Sequence, residues 1–150
     1  MDVDLVCELS EDDVSSLMRA IGNEYYASES AAIEAVRRQG CFNLIHLPTS
    51  FKVDVFVSRR RPFDLEAMQR AEVQRIAVEP RTEFAIATPE DVIVSKLEWY
   101  RLNDETSERQ WDDVSRLIDL LAGDLDRTYL ERAAQSVGVS DLLAPVLRGR

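Results

Sequence analysis

Apolar and polar residues alternate along Phe51-Lys52-Val53-Asp54-Val55-Phe56-Val57. Alternation puts Phe51, Val53, Val55 and Val57 on one face of a strand and Lys52, Asp54 and Phe56 on the other. The β-branched and aromatic content predicts a strand in the middle of a sheet. A second alternating stretch, Asp2-Val3-Asp4-Leu5-Val6, predicts a strand over residues 2–7, with Asp2 and Asp4 on one face and Val3 and Leu5 on the other. Cys41 to Leu47 is a further strand. The tight Pro48-Thr49-Ser50 connection makes it an antiparallel hairpin with the central strand. Two more strands are predicted from Ala71 to Val78 and from Glu83 to Ala87, broken by Glu79-Pro80-Arg81.

Helical spacing takes over elsewhere. Ser10 is an N-cap followed by Glu11, Asp12 and Asp13, and Val14, Leu17, Met18 and Ile21 form one stripe over about residues 11–22. Ser28 or Ser30 opens a short helix through Ala31, Ile33, Ala35 and Val36, which Gly40 ends. Pro62 and Asp64 start a short helical or irregular segment through Met68. Thr88-Pro89-Glu90-Asp91 starts a helix striped by Val92, Ile93, Leu97 and Tyr100. Ser107 caps the next, carrying Trp111, Val114, Leu117, Ile118 and Leu121 up to Gly123, and two more helices follow near 126–136 and 140–147. The pattern predicts one α+β domain over residues 1–150: a small mixed β-sheet within 1–88 and a helical C-terminal part, 89–150, packed on it.

Composition narrows the class. A chain of 150 residues with 45% apolar content can bury a core. Net charge is −10, which argues against a broad nucleic-acid surface, Arg59-Arg60-Arg61 being the local exception. These arginines form a solvated loop or an RNA or phosphate contact. Cys7 and Cys41 sit in apolar runs without C-x-x-C spacing, so buried free thiols in a reducing compartment are expected before a disulfide. No apolar run reaches the roughly 18 residues of a membrane span, and the acidic start does not match a signal peptide, so a cytoplasmic protein is expected.

A few polar residues break the patterns. Asp54 lies among hydrophobic neighbours, where a carboxylate is costly unless a cation or donors meet it. Were the strands of Asp4 and Asp54 adjacent and in register, Asp2, Asp4 and Asp54 would converge on divalent metal, and magnesium favours carboxylates plus substrate phosphates. Lys96 falls in the middle of an apolar helical stripe. Its stem snorkels past the core, or its ammonium meets an acid or a phosphate in a cleft. Asp112 points away from its helix stripe, whereas Asp113 lies at the border, as a surface partner of Arg109 or as one of a cleft-facing pair. His46, the only histidine, is either a plain strand residue or a catalytic one.

The two aspartate strands resemble the metal-binding strands of the nucleotidyltransferase superfamily. Thr88 to Leu97 and Glu108-Arg109-Gln110-Trp111-Asp112-Asp113-Val114 are similar to the lysine and aspartate helices of its minimal, AbiEii-like branch, found among toxins of toxin–antitoxin and abortive-infection systems. The resemblance covers roughly residues 2–121 and leaves out the last two helices. It implies a sheet of the nucleotidyltransferase type. It also implies transfer of a nucleoside monophosphate from a nucleoside triphosphate to an acceptor with Mg2+. Asp2 and Asp4 then match the paired metal ligands, and Asp54 the third acid, ligand or general base. Lys96 matches the lysine that contacts nucleotide phosphates, and Asp113 the late acid. The family's Gly-Ser motif precedes the paired aspartates, and none of Gly22, Gly40, Gly123, Gly138 and Gly149 supplies it. The expectation is a fragment with a late start or a degenerate member. A degenerate member would be a dimerising or partner-binding module, as a homodimer or with an antitoxin-like protein, because a sheet edge left unpaired attracts other chains.

Overall fold

The computed structural model describes residues 2–77, 82–121 and 123–148. The chain is a mixed α+β protein with, among the described residues, seven α-helices, a four-stranded mixed sheet and a two-stranded sheet. It divides into two compact units, Met1–Arg61 and Pro62–Arg150. No helix among the described residues is long and apolar enough to cross a membrane.

The first unit holds strands β1 (Asp2–Cys7), β2 (Tyr25–Ala27), β3 (Cys41–His46) and β4 (Phe51–Val57) and helices α1 (Glu11–Ile21) and α2 (Glu29–Arg38). Strand order is β1-β4-β3-β2, so the alternating segment around Asp54 is central, as its composition predicts. β1 runs parallel to β4, and β3 is antiparallel to both β4 and β2. Strand β2 is not foreseen in the sequence: three residues carry no periodicity, and only pairing with β3 makes them a strand. Ser10 and Asp13 start α1 with a reciprocal capping box, Ser10 Oγ accepting from the Asp13 N–H at 3.3 Å and the Ser10 N–H donating to Asp13 Oδ2 at 2.9 Å. Ser28, not Ser30, caps α2. That helix stops at Gln39, which takes the left-handed conformation at φ 51° in place of Gly40, while the Gly40 N–H closes on the Ala35 carbonyl at 2.8 Å.

One sheet face is buried. Phe42, Leu44, Val55 and Val57 pack with Val14 of α1 and Ala32 and Ala35 of α2. Each large side chain so enclosed contributes about 1.5–3 kcal/mol relative to exposure. The other face is therefore where polar residues of β3 and β4 can stand. Cys41 lies on it and is exposed, and Cys7 is half-buried, which corrects the expectation of two buried thiols; both are free.

The second unit holds α3 (Pro62–Arg70), β5 (Glu72–Ala77), β6 (Thr82–Ile86), α4 (Pro89–Leu102), α5 (Glu108–Leu121), α6 (Arg127–Ser136) and α7 (Ser140–Arg148). Strands β5 and β6 pair only with each other, outside the four-stranded sheet. Val73, Phe84 and Ile86 are exposed on this hairpin. The predicted break at Glu79-Pro80-Arg81 lies outside the described residues. Ile93, Val94 and Leu97 of α4, Val114 and Ile118 of α5, Leu130 of α6 and Leu143 of α7 form the core of this unit, with Phe63 of α3.

Candidate functional site

The β1–β4 register sets Asp4 directly beside Asp54 and Asp2 beside Lys52. The β3–β4 register sets Asn43 opposite Asp54. Residues paired this way share a sheet face, and here it is the one the helices leave open. The side chain of Asp2 lies outside the described part of the structure. Asp54 is ion-paired with Lys52, whose Nζ lies 2.8 Å from Oδ2. The Asn43 amide donates to Oδ1. Both carboxylate oxygens thus have a protein donor, which meets the cost of setting an acid in an apolar strand.

Cys41 reads the electrostatics of this face. Desolvation first, then the charges of Asp54 and Asp4, push its thiol up to about 11. His46 lies at the far end of β3, its Nδ1 2.8 Å from Thr49 Oγ1 and its ring 5.0 Å from that of Tyr25, so it braces the hairpin. Arg60 pairs with Glu8 at 3.1 Å.

For a hard divalent cation, adjacent carboxylates in register are the right donor chemistry. Among the described residues no group of three His, Cys, Asp or Glu side chains is arranged to hold a metal. Asp4 and Asp54 supply two donors, and Asp2 stands at the neighbouring register position.

Lys96 and Asp113 belong to the second unit. The Lys96 ammonium lies 3.0 Å from Asp113 Oδ2 and 3.4 Å from Gln110 Oε1. Lys96 meets an acid instead of snorkelling, and the partner of Asp113 is this lysine and not Arg109. The pair borders an open hollow lined by Val92, Lys96, Asp113, Arg116, Leu117 and Leu120. Asp112 is exposed, as its helix position predicts.

Asn43 and Gln110 are not foreseen in the sequence. Hairpin register could have found Asn43, because a short loop closing His46 on Phe51 fixes it opposite Asp54. Gln110 has a weaker signal, one turn before Asp113 on the same helix. Glu90 and Asp91 stand in the first turn of α4, and both are buried. Arg70 Nη2 lies 3.3 Å from Glu90, Arg70 Nε lies 3.4 Å from Asp91, and the Tyr129 hydroxyl donates to Asp91 Oδ1. Arg70 also stacks 3.6 Å over the Tyr129 ring.

No protein-family model matches the chain, and no curated protein matches it.

Proposed function

We infer that the chain is nucleotidyltransferase-like: its sheet is of that type, and it transfers a nucleoside monophosphate from a nucleoside triphosphate to an acceptor. The observation that carries the reading is Asp4 beside Asp54 on parallel β1 and β4, with Asp2 two positions earlier on the same strand. Asp2, Asp4 and Asp54 would hold Mg2+, which when bound neutralises phosphate charge and activates the reacting oxygens. Asn43 orients the Asp54 carboxylate. Lys96 carries a cation suited to the nucleotide phosphates, and Asp113 and Gln110 hold its ammonium in place. The reading sets the protein in the cytoplasm and gives it an antitoxin-like protein as a partner.

Incubation with labelled nucleoside triphosphates and Mg2+ tests it. Label should pass to a protein, RNA or small acceptor and be lost in Asp54→Asn and Lys96→Met. Absence of both transfer and nucleotide binding in the wild type would count against the enzyme.

A second reading, a partner-binding module without turnover, draws on a different observation. β1 ends the sheet order, and its Val3, Leu5 and Val6 are exposed. Such an edge is a template for another strand. Light scattering over micromolar concentrations should then give a mass above that of one chain, as a homodimer; a strictly monomeric profile removes the homodimer.

A further inference from the structure

The metal reading gives Lys52 no part, and yet Lys52 occupies the place where a metal would act. Lys52 and Asp54 are two residues apart on β4, so both lie on its open face. The ammonium sits 2.8 Å from Asp54 Oδ2, while Oδ1 takes the Asn43 amide. Across the parallel register the same lysine stands beside Asp2. It therefore lies among the positions assigned to the ion. The side chain of Asp54 is 17% exposed and that of Lys52 is 40% exposed, so the acid is the enclosed member and the ammonium borders water.

A carboxylate oxygen that already meets an ammonium at ion-pair distance binds a divalent cation more weakly, because the two positive charges repel at that range. The lysine stem is flexible and its head strongly hydrated, so the ammonium can leave the acid for solvent.

We propose that Lys52 is the resident counter-ion of Asp54 and sets the affinity of this face for divalent metal by competing for Oδ2. The charge of Asp54 is met without metal, and an incoming ion must displace the ammonium from Oδ2. The proposal rests on the metal reading above. It differs from it in sign at one residue: the assigned ligands strengthen binding, whereas Lys52 weakens it.

Calorimetric titration of the full chain with Mn2+ tests this, comparing wild type, Lys52→Met, Lys52→Arg and Asp54→Asn, each checked for folding by circular dichroism. Lys52→Met should bind about tenfold more tightly, the scale of removing one nearby charge from a partly exposed site. Lys52→Arg keeps the charge and should stay near wild type. Asp54→Asn should lose binding. Lys52→Gln repeats the test should the methionine variant fold poorly. Equal or weaker binding by the uncharged variants, with Asp54→Asn still weakened, overturns the counter-ion role and leaves Asp54 a ligand. No binding in any chain, or binding indifferent to Asp54→Asn, overturns the metal reading and this proposal together.

Discussion

Cys41 is a reporter built into the open sheet face. A thiolate beside carboxylates is disfavoured, and partial desolvation disfavours it further, so its pKa rises from an ordinary 9.0 to about 11. Only the thiolate is nucleophilic. At pH 8 its reactive fraction is then about a hundredfold below that of an unperturbed thiol. Iodoacetamide alkylation of Cys41, followed by mass spectrometry against pH, should have its midpoint near 11. Asp54→Asn removes a negative charge and should move that midpoint down, though not fully to 9.0, because desolvation is the larger cause. A wild-type midpoint near 9 would contradict both the desolvation of this thiol and the placement of the acids beside it. The same scale explains what alternation could not say about Asp54. Its apolar neighbours signalled an acid needing partners, but a lysine and an amide met it, and both come from its own hairpin.

At the scale of elements, the start of α4 does more than cap a helix. Thr88 Oγ1 accepts from the Asp91 N–H at 3.4 Å and donates to Asp91 Oδ2 at 2.6 Å. Asp91 then takes Arg70 from α3 and Tyr129 from α6, and Glu90 accepts the Asp126 N–H at 2.8 Å. Arg70 thus ties α3, α4 and α6 together around two buried acids. Arg70→Met leaves those acids without their cation and should cost about 3 kcal/mol in urea unfolding. Tyr129→Phe removes one donor while Arg70 and Thr88 remain, and should cost about 1 kcal/mol. Equal small losses would mean that the acids recruit other donors. Nothing in local propensity announces this cluster, because Arg70 and Tyr129 are distant in sequence from Asp91 and only packing brings them together.

For the whole molecule, carboxylates held by donors and arginines give stability a direction with pH. Burial by itself would raise the Glu90 carboxyl. The Asp126 and Glu90 N–H groups, the Thr88 hydroxyl and Arg70 together take it below its ordinary 4.5. Hydrogen bonds from Ser10 lower Asp13, and Arg37, Arg132 and Arg101 lower Glu11, Glu66 and Asp141. A carboxyl whose folded pKa is depressed contributes stability that is complete above its unfolded value and lost as pH falls through the folded one. All five have the same sign and they occur in both units, so the urea midpoint should hold above about pH 5 and drop steadily below about pH 4.5. A midpoint that rises on acidification would show that repulsion within a chain of net charge −10 outweighs these pairs.

Periodicity, caps and turn residues determined most of the elements, because those signals act between residues a few positions apart. The central place of the Asp54 strand, its hairpin with β3, the capped starts of α1 and α4 and the apolar stripes of α4 and α5 all follow from them. Tertiary structure alone decided the rest. It made a strand of Tyr25–Ala27, set β5 and β6 in a sheet of their own, and exposed Cys41. It also gave Asp113 to Lys96 and set Arg70 against Asp91. These depend on which distant surfaces meet. Contacts of that kind are set by packing and by the pairing of charge across elements, and a local pattern holds no record of them.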